Sequence, residues 1–261
     1  GWTVKAFEDS STFGDFFEAL IEQLPQSSSI TYADIPHVQA LRSAYGKLTA
    51  AQKASIDETV YSKLTGVEDI LMGFANEDVE NIENMIDALP DVITLADKED
   101  IASIRQSVEI LPVIYLSMID NIEVLEEAEY AIYDIEAREA AQEVNNLIDE
   151  LPLPQEAGLE DKTAAREAYS AYTSLNDLAK TYVTDTNYQK LTSILEKIAG
   201  MERSIFKIDT VEEKITGLPE ADSLTLNHKT QVVEARMLFD ALSGEEKAII
   251  SSDNISKLQL A

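Results

Sequence analysis

Apolar residues in this chain recur at helical spacing, most clearly over Asn121–Leu151, thirty-one residues without Gly or Pro and rich in Ala, Leu and Glu. Those residue types lose little on entering a helix. At about 100° per residue, Leu125, Ala128, Ile132 and Ile135 line one side, but continuing that line meets Glu139, Gln142 and Asp149. A second apolar stripe, Ala137, Ala141, Val144, Ile148 and Leu151, lies roughly 200° around the same helix. The pattern predicts one long helix whose buried face changes near Ile135–Arg138, so that its two halves pack against different partners.

Leu-Pro pairs punctuate the rest of the chain. They stand at Leu24-Pro25, Leu89-Pro90, Leu151-Pro152 and Leu218-Pro219, at intervals of 65, 62 and 67 residues, each behind a helical pattern. Proline cannot continue a helix without losing a hydrogen bond and clashing with the preceding turn, so each pair reads as a helix stop. A recurrence of this period points to a repeat protein. Other positions align with it: Thr31, Thr94, Gly158 and Thr225 after the prolines, then Leu48, Leu111, Leu175 and Leu242 seventeen residues on. Between these anchors Arg42, Arg105 and Arg236 share one position, held by Tyr169 in the third copy, and Tyr45, Val108, Tyr172 and Phe239 share another.

Helix starts are marked chemically. Thr31 and Thr94 each precede an Asp by three, an acidic variant of the capping box in which the hydroxyl is expected to accept an orphan N–H. Thr49 with Gln52 and Ser243 with Glu246 form regular capping boxes, Asn176 is the corresponding cap in the third copy, and Pro112 takes that place in the second. Short polar breaks follow at 57–59, 184–186 and 251–253. Each copy therefore reads as helix A, a Leu-Pro stop, helix B, a capped turn, and helix C with an early kink.

Helix C of one copy runs into helix A of the next without a loop in Asn121–Leu151, and in Asn187–Leu218 only Gly200 and Gly217 interrupt the helix formers. The first junction carries Gly66, Gly73 and Asn76, which predicts a break near Gly73–Asn76. The expected fold is all-α: tandem three-helix bundles, spectrin-like, joined by long shared helices into an elongated rod, because a shared helix of about 30 residues spans about 45 Å. The four repeats are 1–75, 76–135, 136–200 and 201–261, the last truncated in its final helix, with Trp2, Val4 and Phe7 read as the remnant of a preceding helix. The start at Gly1 without Met reads as a mature or excised piece of a longer protein.

Composition narrows the function classes. With 49 acidic against 20 basic residues the net charge is −29, spread along the chain, while 45% of residues are apolar, as in an ordinary folded protein. A diffuse negative surface repels phosphate, so nucleic acid and anionic lipid are not expected partners. The absence of cysteine excludes disulfides, thiol catalysis and Cys-ligated metal. No apolar run reaches the roughly 18 residues of a membrane span.

The search for chemistry returns little. The two histidines, His37 and His228, fall in helix B of the first and last repeats and read as solvated helix residues. No metalloprotease, nucleophile-elbow, phosphate-loop or dinucleotide motif occurs, so no enzyme is expected, no cofactor is called for, and no catalytic or metal-ligating residue is assigned. Weak surface Ca2+ binding is weighed at the acidic turn around Asp97, Glu99 and Asp100, without the loop spacing of a dedicated calcium site. Arg42, Arg105 and Arg236 are candidate contacts to an anionic polymer, against the plainer reading that each pairs with a carboxylate or lays its stem over the core. Tyr130 and Tyr133, off both apolar seams, are candidate exposed aromatics, whereas Tyr45, Tyr172 and Phe239 read as packing residues.

The order Ile86–Pro90, Thr94-Leu95-Ala96-Asp97, then Leu41-Arg42 through Tyr45, Leu48, Thr49, Gln52 and Lys53, with Ala235-Arg236 through Phe239, Leu242, Ser243, Glu246 and Lys247, resembles helical repeat modules of Gram-positive secreted and cell-surface proteins, adhesin-like or S-layer-associated. The likeness covers nearly the whole chain, but its motifs are structural and transfer no catalytic residue. It implies an extracellular, cell-wall-associated stalk or spacer that displays other domains of the same longer chain, monomeric as a fragment. The alternative is an adhesion module that contacts cell-wall polymer or a host protein on its inter-helix turns or unit junctions.

Overall fold

The computed structural model describes residues 10–261, with side chains from residue 14 onward; Trp2, Val4 and Phe7 lie outside the described residues. Among those residues every regular element is an α- or 3-10 helix. The chain divides into two compact units, Gly1–Tyr133 and Asp134–Ala261.

The first unit contains α1 (Ser10–Glu22), α2 (Ile35–Gly46), α3 (Ala50–Ala54), α4 (Glu58–Asp87), α5 (Lys98–Ile110), a 3-10 segment Val113–Met118, and the opening of α6 (Ile122–Asp149). One continuous core runs from Phe17 and Ile21 through Leu64, Leu71 and Ile86 to Leu125, all within 2% of full burial. The second unit holds the rest of α6, then α7 (Lys162–Ser174), α8 (Asp177–Tyr182), α9 (Asp185–Thr216), α10 (Lys229–Asp240), α11 (Gly244–Ile249) and α12 (Ser252–Leu260). Its apolar residues form two clusters, one around Ile148, Leu191 and Ile194, the other around Val211, Ile215 and Leu258.

The period of the sequence is the period of the helices. α1, α4, α6 and α9 end at Glu22, Asp87, Asp149 and Thr216, each two residues before its Leu-Pro pair. α6 buries Leu125, Ala128 and Ile132 in its first half and Ala137, Ala141, Val144 and Ile148 in its second, the change of face read from the sequence.

Three details differ from expectation. α4 passes Gly73 and Asn76 unbroken over 30 residues. Both lie on its exposed side, while Leu71, Ala75 and Val79 on the other side are buried. A helical glycine costs about 1 kcal/mol against alanine, less than the roughly 1.5–3 kcal/mol that burying one Leu or Val contributes, so packing decides. Secondly, the expected kink in helix C is a complete stop. The short helices α3, α8 and α11 end, and Asp57, Thr184 and Ser251 cap new helices by accepting from the N–H of Thr59, Asn187 and Asn254.

Thirdly, the Thr31 and Thr94 hydroxyls do not take a backbone N–H. Each lies against the carboxylate of Asp34 or Asp97, which accepts from the backbone N–H of Thr31 at 2.9 Å and of Thr94 at 2.8 Å. The first turn is 3-10, so the N–H that a cap hydroxyl would take is already donated to the Thr31 or Thr94 carbonyl. Asp161 does the same for Gly158 at 2.8 Å, with no hydroxyl present, and the His228 Nδ1 accepts from Thr225 at 3.1 Å.

Candidate functional site: the arginine position and the helix clamps

Helix B presents the arginine column to helix C. Arg42 on α2 donates from Nε to Glu68 on α4 at 2.6 Å, pairs through Nη2 with the second carboxylate oxygen, and donates from Nη1 to the Tyr61 hydroxyl at 2.7 Å. Its guanidinium also lies 5.5 Å from the Tyr61 ring centre and 5.9 Å from that of Tyr45. Arg105 on α5 repeats the fork on Glu129 of α6 at 2.6 and 2.7 Å. The Glu68 and Glu129 carboxylates hold these guanidinium groups firmly charged, against the opposing effect of burial. A two-point fork consumes the donor geometry that an arginine would turn to an anionic ligand. Arg236 on α10 differs: it is exposed and donates to the Leu258 carbonyl at 3.3 Å.

In the third repeat both partners change together. Tyr169 replaces the arginine, and Leu195, packed on the core, stands where the glutamate would be. The place of the charged pair is taken by an exposed tyrosine and a partly buried leucine.

Tyr130 and Tyr133 on α6 are 61% and 43% exposed. Tyr130 borders a shallow open hollow with Glu123, Glu126 and Glu127. His37 is exposed on α2, and His228 serves as the cap acceptor described above. Glu99 and Asp100 lie in the first turn of α5, and the Asp97 carboxylate is engaged by Thr94. Among the described residues no three His, Asp or Glu side chains gather as a metal cage.

Sequence reasoning missed two polar columns that fasten helix A to helix C. Six residues before the Leu of each Leu-Pro pair stand Glu18, Glu83, Asn145 and Glu212. Their side chains accept from the backbone N–H of Asp57, Asp120, Thr184 and Ser251, at 2.5, 2.7, 3.3 and 3.1 Å, where helix C begins. In return Lys63, Lys190 and Lys257, each one residue before the first core leucine of helix C, donate to the carbonyls of Glu22, Asp149 and Thr216 at 2.8, 3.2 and 3.1 Å. An acceptor thus meets the positive end of one helix and a cation the negative end of its antiparallel neighbour. The second repeat has Val124 in place of the lysine; there the Asn121 amide donates to the Glu83 carbonyl and the Asp87 carboxylate at 3.0 and 2.8 Å.

No known protein family, curated protein or solved structure matches this chain. The case for function therefore rests on its own geometry.

The Asn145 clamp is the most elaborate. Asn145 is buried, donates to the Tyr182 carbonyl at 3.2 Å and accepts from the Asn187 amide at 3.0 Å. Two turns earlier on α6, Arg138 donates to Asp134 at 2.7 Å and to the Tyr182 hydroxyl at 3.0 Å, its guanidinium 4.2 Å from that ring's centre. The Tyr182 hydroxyl donates to the same Asp134, and it, then Arg138, holds the carboxyl below the usual carboxylate range. Together these contacts bind α8 and the start of α9 to α6. The arginine forks at Arg42 and Arg105 and the four clamps each fix one helix against another.

Proposed function

We propose that this chain is a non-enzymatic stalk or spacer, built of four tandem helical repeats set end to end, which holds other domains of a longer extracellular protein away from a bacterial cell wall. The observation that carries the reading is α6, which runs from Ile122 to Asp149 without a break while its buried face changes at its middle. A helix shared in this way resists bending, because bending it means breaking backbone hydrogen bonds. The ion pairs and clamps support the same reading, since they spend the arginines and lysines on holding helices together. The test is solution scattering, with a maximum dimension well beyond that of a compact 261-residue globule expected. Ala137→Pro, at the change of face, is expected to increase flexibility while both flanking bundles stay folded. An unchanged scattering profile in that variant would refute the shared-helix mechanism.

The second reading is adhesion to cell-wall polymer or a host protein, and the exposed Tyr130 and Tyr133 favour it. Retention on cell-wall material or a glycan array that falls in Tyr130→Ala would support it; equal retention by the variant would count against it.

A further inference from the structure

The second repeat departs from the others at its capped turn, and the departure leaves a buried hydroxyl free. Three residues after the cap, Gln52 and Glu246 reach back to accept from the backbone N–H of Thr49 at 2.9 Å and of Ser243 at 2.8 Å. Pro112, in the cap position of the second repeat, has no N–H to offer, and the residue three further on is Tyr115. Its ring packs in the core, 6.1 Å from that of Tyr32, and the residue is only 7% exposed. Among the described residues, however, the Tyr115 hydroxyl has no hydrogen-bond partner, which is costly for a buried donor. Among those same residues Asn121 Oδ1 is the sole side-chain polar atom both sealed from the exterior and unpartnered. The Tyr115 oxygen, also unpartnered, therefore opens into the hollow that the residue lines.

That hollow, of about 620 Å³, lies between α2, α4 and the 3-10 segment Val113–Met118. Ile35, Val38 and Leu71, all buried, form its inner wall, and Met72 and Ile114, 44% and 45% exposed, stand at its mouth. We propose that it is a binding site for a small uncharged molecule with an apolar ring and one carbonyl oxygen, which accepts from the Tyr115 hydroxyl. The volume is that of a small-molecule site, and so is the lining: apolar walls with few polar groups. Charge is selected against, because the aliphatic walls would strip water from an ion without pairing it. Arg42 borders the hollow but is taken by Glu68 and Tyr61. Burial first, and then the Glu68 carboxylate, push the pKa of Tyr115 up, so its hydroxyl stays a donor and an anion beside it is disfavoured. A sugar would bring more hydroxyls than these walls can satisfy. The inference does not depend on a stalk role.

The probe is acetophenone, an uncharged aromatic ketone, titrated into the full chain labelled at its Met and Ile methyl groups and followed by NMR. Saturable shifts concentrated at Met72, Ile35 and Ile114 are expected. Tyr115→Phe keeps the ring beside Tyr32 and removes only the oxygen. It should weaken acetophenone binding about three- to tenfold, the worth of one hydrogen bond, and leave the binding of ethylbenzene, which has no carbonyl, unchanged. Benzoate, an anion of similar shape, should bind the parent more weakly than the ketone does. Ile114→Glu, a change at the exposed mouth that leaves the core intact, should abolish the saturable shifts. Shifts that never saturate, or that scatter over methyl groups away from the hollow, overturn the proposal. So do equal acetophenone affinity in Tyr115→Phe, benzoate binding as tight as that of the ketone, and undiminished binding by Ile114→Glu.

Discussion

Asn145→Ala tests whether the polar clamps, rather than the apolar seams alone, fasten these helices. The side chain is 7% exposed and makes three bonds across to α8 and α9: from Thr184 N–H at 3.3 Å, from the Asn187 amide at 3.0 Å, and to the Tyr182 carbonyl at 3.2 Å. Each is worth about 0.5–1.5 kcal/mol net, and stranding a half-buried donor or acceptor raises the loss toward ~3 kcal/mol. With part of the set re-satisfied by water, about 2 kcal/mol is the expected cost, roughly a thirtyfold rise in local opening. Lys190→Ala in the same repeat removes one exposed bond to the Asp149 carbonyl, for which about 0.5 kcal/mol is expected. Amide hydrogen exchange is the appropriate assay, because it reports opening segment by segment in a chain whose units need not unfold together. Amides of 182–191 should lose protection in Asn145→Ala far more than in Lys190→Ala. Equal losses would refute the argument that burial, and not the mere presence of a bond, sets the strength of a clamp.

Two further outcomes follow from the packing. Glu129→Leu alone should destabilise the first unit by leaving Arg105 half-buried and unpaired, whereas Arg105→Tyr with Glu129→Leu, the combination found at Tyr169 and Leu195, should restore most of the loss in a urea titration. Gly73→Ala should stabilise the first unit by about 0.5–1 kcal/mol, since a methyl group there meets nothing within 4 Å; Gly14→Ala should destabilise it, because its Cβ would lie 2.8 Å from the Ser55 carbonyl oxygen, and thermal melts of both variants check the pair.

Helices were legible where one residue type has one physical consequence. Proline after leucine stops a helix, and a Leu-Ala-Glu-rich stretch without glycine continues one, so the ends of α6 and α9 and the change of face in α6 could be read directly. Gly73 was misread because local propensity and packing oppose each other there, and the energy of the buried side is not written in the glycine. The hydroxyls of Thr31 and Thr94 were misassigned because a 3-10 first turn and an α first turn look alike in sequence but leave different N–H groups free. The arginines were found as a column, and their plainer reading as ion-paired residues is the arrangement at Arg42 and Arg105. The clamps were missed since Glu18, Glu83, Asn145 and Glu212 look like any other polar residues on a helix in an acidic chain. Counting back from each Leu-Pro pair would have exposed them, as only their constant offset marks them out.

The clamps also set the scale on which this chain folds. The four helix A to helix C bridges close segments of 37–39 residues, and the lysine bridges close 41. The closure entropy of a loop grows only with the logarithm of its length, and equal loops carry equal closure costs. Each repeat therefore gathers its own ends over a similarly short stretch of chain, and contacts this local favour fast folding. In a growing chain the two ends of a clamp can meet once the roughly forty residues between them are free, before the next repeat has been made.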